Sequence, residues 1–112
     1  MTTVPTPSGD DLVRTLATLA NPHRMRVVAA LARERHYVSG LARRLGISRA
    51  LLQLHLKKLE ACGLVTSKLE LSEDGKAMKF YELAAFDIHL TPASVARAAD
   101  DLTVDDAKGS QE

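Results

Sequence analysis

The chain has 112 residues and a mass of 12.2 kDa, which is the size of one compact domain. Its single cysteine, Cys62, excludes an internal disulfide and a four-cysteine zinc site. No apolar run approaches the roughly 18 residues of a membrane helix, and the N-terminus lacks the basic-then-apolar order of a signal peptide. We therefore expect a cytoplasmic protein without a membrane partner.

The formal net charge of +1 conceals an uneven distribution along the chain. Residues 23–63 contain nine Lys and Arg against two Glu, a charge of +7, whereas residues 87–112 carry −4. Such an excess of positive charge suits a polyanion such as DNA, which the acidic segment would repel. The alternative on charge alone is an ordinary solvated helical surface with many arginines.

The N-terminal part of the chain predicts a disordered arm followed by two helices. Residues 1–9 are polar and offer almost no apolar surface to offset the entropy of ordering. The first helix begins near Asp10, where apolar residues start to recur at helical spacing. The second helix covers 22–35, because Asn21 is a suitable N-cap and Pro22 is tolerated at the first helical position.

Two further helices are predicted in the basic block. The third, Val38–Leu45, has Ser39 as a possible cap and ends at Gly46. The fourth covers 49–62 and begins after Ser48, a suitable N-cap. Two short helices joined by a tight turn that contains glycine form a helix-turn-helix, although the same arrangement also occurs in purely structural helical bundles.

The spacing of apolar residues changes after the fourth helix. Residues 64–71 and 79–83 predict two strands, and the polar residues 72–75 between them predict a turn, so together they form a β-hairpin. A last helix is predicted at 92–102, with Thr91 as its N-cap and proline at its first position.

Three sequence runs, residues 19–28, 41–48 and 55–65, together resemble the ArsR/SmtB family of winged-helix transcriptional regulators. The resemblance covers about residues 10–104 and leaves residues 105–112 as a flexible acidic tail. It implies a mainly α fold with a β-hairpin, arranged as a winged helix-turn-helix in which four helices precede the hairpin and one follows it. Function as a sequence-specific DNA-binding transcriptional regulator would follow.

The resemblance also implies specific partners. The chain would form a homodimer through its first and last helices, and each protomer would insert its fourth helix into the major groove of double-stranded operator DNA. The hairpin tip, residues 72–75, would act as a wing. A protein co-regulator is a further possible partner.

Under this hypothesis the fourth helix carries the residues that face the DNA. Arg49 can form paired hydrogen bonds to guanine, and Gln53 can form them to adenine. Leu54 either contacts a thymine methyl group or packs against the protein. The groove-facing residues are Ser48, Arg49, Ala50, Gln53, Leu54 and Lys57, and the cations suited to phosphates are Arg43, Arg44, Lys57 and Lys58.

Many members of this family are controlled by metal ions, so the resemblance raises the question of a metal site. One metal site of the family is built from cysteine thiolates near the third helix. In this chain the corresponding positions are occupied by Tyr37 and Ser39, so that site lacks its thiolate ligands. His55, where the family also has histidine, is interpreted as a structural residue or phosphate contact, and Cys62 as a small apolar residue that is not a redox switch. His23 and His36 are interpreted as surface or packing residues.

A second metal site of the family, on the last helix, is half present. Asp87 and His89 match one half, and Asp100 and Thr103 occupy the positions that a partner subunit would supply. Thr103 is a poor ligand, so the candidate donors are Asp87, His89 and Asp100. One imidazole with carboxylates suits nickel, zinc or cobalt as the divalent cofactor. Alternatively, Asp87 and His89 are ordinary surface or capping residues.

Three hypotheses therefore remain at this stage. The first is a homodimeric DNA-binding regulator modulated by a divalent metal ion, and the second is a metal-independent regulator that depends on a partner protein. The third is a winged-helix dimerisation or protein-interaction module that does not bind DNA. An enzyme is not expected, because the sequence shows no nucleophile with an evident base and no phosphate-binding glycine loop.

Overall fold

A computed structural model of the chain describes residues 8–103 and confirms the mainly α winged helix-turn-helix with its β-hairpin. The first helix begins at Gly9, the last residue of the predicted arm, and most of that arm and all of the predicted tail lie outside the described residues. In chain order the elements are α1 (Gly9–Leu19), α2 (Pro22–Arg33), β1 (His36–Tyr37), α3 (Val38–Leu45), α4 (Arg49–Ala61), β2 (Val65–Leu71), β3 (Ala77–Leu83) and α5 (Pro92–Asp100).

Three of the predicted helix caps are confirmed. The side chain of Asn21 accepts hydrogen bonds from the backbone N–H groups of His23 and Arg24, at 2.9 and 3.2 Å. The Ser48 hydroxyl accepts one at the start of α4, and Thr91 forms a reciprocal capping box at the start of α5. Each cap satisfies backbone donors that have no partner within the helix.

The start of α3 differs from the prediction. Ser39 lies inside this helix, and Tyr37 takes the cap position without a side-chain hydrogen bond, so the proposed Ser39 cap was wrong. The reason is a strand that the sequence did not reveal: His36 and Tyr37 form β1 and pair antiparallel with Tyr81 and Phe80. The resulting sheet has three strands in the order β1-β3-β2.

Residues 18–86 form one compact unit with its own apolar core. Helices α3 and α4 supply five of its eleven buried apolar side chains, α2 supplies three, and the base of the hairpin closes the core. Burial of these side chains provides the main driving force for folding of this unit. The buried apolar residues are Val27, Ala30, Leu31, Leu41, Ala42, Leu52, Leu56, Leu59, Leu64, Val65 and Tyr81.

Strands β2 and β3 pair from Val65 opposite Leu83 to Leu71 opposite Ala77. Because side chains alternate along a strand, the hairpin has two faces. The inner face carries Ser67, whose hydroxyl donates to the carboxylate of Glu60 on α4 at 3.1 Å.

The outer face of the hairpin is held by an ion pair. Arg35, just before β1, binds Glu70 of β2 through two hydrogen bonds of 2.5 and 3.0 Å. The guanidinium also lies 4.3 Å from the centre of the Phe80 ring. The hydrogen bond from Arg35 lowers the pKa of Glu70, so this carboxylate is ionised at neutral pH.

A second unit contains most of α1 together with residues 87–103, including α5. The backbone N–H of Gly9 donates to the Asp101 carboxylate at 2.5 Å, and a Cβ atom on Gly9 would lie 2.1 Å from the Ala98 carbonyl oxygen. Only glycine permits this close approach. An apolar groove in this unit is lined by Gly9, Leu12, Val13, Leu16, Val95, Ala98, Ala99 and Leu102. Between residues 8 and 103, the helices lack the length and apolar character needed to span a bilayer.

Candidate nucleic-acid interface

The turn between α3 and α4 depends on Gly46. This residue has a φ of 70°, in the left-handed region that other residues rarely adopt, and its N–H donates to the Ala42 carbonyl at 2.8 Å. The N–H of Ile47 donates to the same carbonyl, and the chain then enters α4 through the Ser48 cap. The turn therefore ends α3 and positions the first residues of α4 at the surface.

Helix α4 has one buried and one exposed side. Leu52, Leu56 and Leu59 are buried, whereas Arg49 and Gln53 are exposed and, four residues apart, lie on the same side of the helix. The remaining candidate groove residues Ser48, Ala50, Leu54 and Lys57 are exposed as well.

Leu54 is an apolar residue on this exposed surface. It is 59% exposed and lies at a cleft beside Tyr81, so most of its surface is not covered by residues 8–103 of its own chain. Of the two interpretations from the sequence, contact with an external group fits this exposure better than packing within the described part of the protomer.

The cations proposed to contact phosphate are all accessible. Arg43 and Arg44 are exposed in the last turn of α3, and Lys57 and Lys58 are exposed on α4. Arg43, Arg44 and Lys58 also lie near the negative ends of their helix dipoles, a location that favours positive charge.

A cleft separates the exposed side of α4 from the inner face of the hairpin. Lys79 and Tyr81 of β3 line it opposite Gln53 and Lys57, and the Lys79 ammonium lies 5.5 Å from the centre of the Tyr81 ring. The sequence analysis did not include Lys79 among the candidate site residues. The available signal was the alternation of side chains in β3, which puts Lys79 on the same face as the buried Tyr81.

The hairpin tip is acidic. The Ser72 hydroxyl donates to the Asp74 carboxylate, and this hydrogen bond lowers the pKa of Asp74. Asp74 is therefore ionised at neutral pH, and Glu73 beside it is exposed. Negative charge at Glu73 and Asp74 opposes close contact of the tip with phosphate, and the exposed cations of this part of the hairpin are Lys76, beside the tip, and Lys79.

His55 lies on the opposite side of α4 and has a structural role. It is 7% exposed, its Nδ1 accepts a hydrogen bond from Arg24 Nε at 3.3 Å, and its ring stacks on His23 at 5.3 Å. Arg24 also donates to the Thr18 carbonyl at 3.0 Å, so the residue connects α1, α2 and α4. This burial is incompatible with a phosphate contact by His55.

Protonation of His55 is expected to destabilise the fold. Burial is the main cause that lowers the pKa of His55 below 6.5, and the nearby positive charge of Arg24 lowers it further. The unfolded chain therefore binds this proton more readily, and the free energy of unfolding should fall as the pH decreases below about 6.5. Urea unfolding between pH 5 and 7.5 measures the decline, which should be smaller in His55→Gln. An equal decline in the wild type and in His55→Gln would contradict the assignment of this pH dependence to His55. The control is His89→Gln, at an exposed site, which should retain the wild-type decline.

The remaining cysteine and metal-ligand candidates do not form a site within one described protomer. Cys62 is partly buried, and its Sγ lies 3.0 Å from the Thr18 hydroxyl. Among residues 8–103 no three His, Cys, Asp or Glu side chains are placed to hold a metal ion. A metal site that includes Asp87 or His89 would therefore need donors from elsewhere.

The proposed metal ligands are all accessible in the described part of the protomer. Asp87 and His89 are exposed on the irregular segment before α5, which begins only at Pro92, and Asp100 is exposed at the end of that helix. Thr103 donates its hydroxyl to Asp10. Its engagement there further weakens the case for Thr103 as a fourth ligand.

Comparison with known proteins agrees with the class defined by this geometry, a winged helix-turn-helix DNA-binding domain. Residues 19–68 match a family model described as a helix-turn-helix domain. An uncharacterised HTH-type transcriptional regulator of Methanocaldococcus jannaschii is 32% identical over 80 residues, which are 71% of this chain and 83% of the relative.

Solved structures of regulators share the fold. An ArsR-like transcriptional regulator from Rhodococcus sp. RHA1 is 27% identical with a TM-score of 0.58, over 81% of this chain and 74% of that one. A winged helix-turn-helix domain from Mycobacterium bovis, described as a possible ArsR-family regulator, is 25% identical with a TM-score of 0.61, over 79% and 70%.

The chain belongs to the ArsR family of winged-helix transcriptional regulators. Its general function is therefore that of a DNA-binding transcriptional regulator. The family assignment also confirms the prediction that the chain is not an enzyme.

Proposed function

We propose that this chain is a homodimeric, sequence-specific regulator that inserts α4 into the major groove of operator DNA. The observation that carries the proposal is the exposure of Arg49 and Gln53 on one side of α4, opposite its buried leucines. An α-helix fits the major groove, and these two side chains match the hydrogen-bonding groups of guanine and adenine.

The other exposed residues divide into base and phosphate contacts. Leu54 presents an apolar surface to a thymine methyl group, and Ser48 and Ala50 allow the N-terminal turn of α4 to approach the bases closely. The four cations Arg43, Arg44, Lys57 and Lys58 neutralise phosphates and supply affinity that does not depend on sequence. Lys79 adds a further cation from the hairpin side of the cleft.

The proposed dimer interface consists of α1 and α5. The apolar groove of this unit has exposed apolar side chains: Val13, Val95 and Leu102 are 52%, 47% and 42% exposed. Contact with a second protomer would remove this apolar surface from water. The Mycobacterium bovis neighbour is described as a homodimeric DNA-binding domain. A twofold symmetric dimer would bind two half-sites about 10 base pairs apart.

Salt dependence of binding to duplex DNA tests this function. Binding should weaken steeply as salt rises, and Lys57→Gln should reduce the slope of log affinity against log salt by roughly 1, because one phosphate contact is lost. Arg97→Gln, which removes a cation from α5, is the matched control. A wild-type affinity that is independent of both salt and sequence would contradict DNA binding and favour a protein-interaction module.

The proposal includes modulation by a divalent transition metal, with Asp87 and His89 of one protomer and Asp100 of the other as donors. Residues 8–103 of one protomer do not provide a site by themselves, and three donors of this kind suit nickel, zinc or cobalt. The alternative is a regulator that does not respond to metal and depends on a partner protein.

Calorimetric titration with each metal ion alone distinguishes these alternatives. Wild-type protein should bind one ion per donor set, and His89→Ala should weaken this binding more than tenfold, because it removes the only imidazole of the set. Glu73→Gln, at the hairpin tip, should leave binding unchanged. Equal affinity of the wild-type and His89→Ala proteins would reject this site.

A further inference from the structure

Strand β2 lies at one edge of the sheet formed by the described residues. It pairs with β3 on one side, and no other strand among residues 8–103 pairs with its second side. The bonds from Ser72 N–H to the Lys76 carbonyl and from Ala84 N–H to the Leu64 carbonyl establish that even-numbered residues of β2 bond to β3. The N–H and C=O groups of odd-numbered residues, including Ser67, Leu69 and Leu71, therefore point away from the sheet.

The side chains along this edge are unusually apolar on one face. Leu69 and Leu71 are 68% and 75% exposed on the inner face. The outer face carries opposite charges at Lys68 and Glu70, two residues apart, and Glu70 is also held by Arg35 of its own chain. Long, accessible edge strands with exposed apolar side chains are templates for pairing with another strand.

We propose that β2 pairs antiparallel with β2 of a second copy of this chain, about a twofold axis at Leu69. This is a contact between neighbouring dimers on DNA and thus rests on the proposed function. In this register Leu69 forms a hydrogen-bonded pair with its own copy, and Ser67 pairs with Leu71. Lys68 then lies opposite Glu70, in the closer, non-hydrogen-bonded type of pair.

Charge selects this register over its neighbours. Moving the twofold axis by one residue, to Lys68 or to Glu70, would bring Lys68 opposite Lys68 or Glu70 opposite Glu70, and like charges directly opposite one another destabilise a sheet. The register centred on Ser67 would leave Glu70 without a cation in the opposite strand. Only the register centred on Leu69 combines outward backbone groups, the Lys68–Glu70 pairs and a leucine contact.

The orientation of this pairing agrees with simultaneous DNA binding. A twofold axis perpendicular to the sheet places the inner faces of both hairpins on the same side. Helix α4 lies on the inner side of each hairpin, as the hydrogen bond from Ser67 to Glu60 and the burial of Tyr81 demonstrate. Both copies of α4 would therefore lie on one side of the joined sheet.

The contact is expected to be weak in free solution. An isolated pair of strands is marginal in water, and exposed ion pairs contribute little. Two dimers bound at adjacent sites on one duplex have a much higher effective concentration, so the same contact should make their binding cooperative.

Duplexes with two binding sites, spaced in one-base-pair steps across a helical turn, test the proposal. At a favourable spacing, wild-type protein should bind the second site roughly tenfold more tightly than the first. Leu69→Lys should abolish this cooperativity, since it places like charges at the twofold axis, and Thr66→Lys, with the same added charge on the same strand, should retain it. Absence of cooperativity at every spacing in the wild type would overturn the proposal.

Cysteine cross-linking tests the pairing without DNA, so it separates failure of this contact from failure of DNA binding. Cα atoms of a hydrogen-bonded antiparallel pair lie about 5.5 Å apart, within the range that a disulfide spans. At high protein concentration, Leu69→Cys in a Cys62→Ser background should form a covalent link between chains faster than Thr66→Cys in the same background. Equal rates for the two variants would reject the register.

Discussion

Replacing Arg49 by alanine is expected to weaken binding to a preferred operator by roughly 10- to 100-fold, because a bidentate contact to guanine contributes about 1–3 kcal/mol of discrimination. Gln53→Ala should have an effect of similar size at a different base pair. Both side chains are exposed on α4 and contribute little to its packing, so the variants should fold normally. Fluorescence anisotropy with labelled operator and random-sequence duplexes measures the two affinities.

Arg49→Lys is the control that separates base recognition from charge. Lysine retains the positive charge and hence most non-specific affinity, but it lacks the planar pair of donors that matches guanine. We therefore expect Arg49→Lys to lose discrimination while binding random DNA almost as well as the wild type. If Arg49→Ala lowered affinity for operator and random DNA by the same factor, Arg49 would contact phosphate and not a base.

Leu56→Ala is expected to cost about 2–5 kcal/mol of stability, because it removes a buried side chain and leaves a cavity. Leu56 is 1% exposed and belongs to the core between α4 and the hairpin base. Leu54→Ala is a matched control on the same helix, since Leu54 is 59% exposed and its truncation should change stability by less than about 0.5 kcal/mol.

Urea unfolding at a fixed protein concentration measures both variants, and the fixed concentration is needed because dimerisation contributes to apparent stability. Leu54→Ala should instead weaken binding to the operator, since its side chain faces the DNA in the proposed complex. Equal destabilisation by the two substitutions would contradict the assignment of the two sides of α4, on which the DNA interface depends.

The sequence predicted the helices and the hairpin because their signals are local. Caps at Asn21, Ser48 and Thr91 and the glycine at position 46 mark boundaries through hydrogen bonds and dihedral angles within a few residues. Strand β1 was not predicted, because two residues cannot show a periodicity and its pairing with β3 joins positions about 45 residues apart.

In the candidate site, too, the features with a local sequence signal could be predicted and those that depend on distant contacts could not. The exposed side of α4 could be read from the spacing of its leucines, which leaves Arg49 and Gln53 on the opposite side. The position of Lys79 across the cleft and the contact of His55 with Arg24 depend on the packing of separate elements. The ion pair between Arg35 and Glu70 likewise requires β1 and β2 to lie in one sheet, so helical or strand spacing alone could not predict it.

Selection of duplexes from a random-sequence library, carried out in parallel with wild-type protein and the Arg49→Ala/Gln53→Ala double variant, tests DNA reading by α4 most directly. The wild type should enrich a twofold symmetric motif with half-site centres about 10 base pairs apart, and the double variant should bind DNA without enriching it. Enrichment of the same motif by both proteins, or of no motif by the wild type, would contradict sequence recognition through this helix.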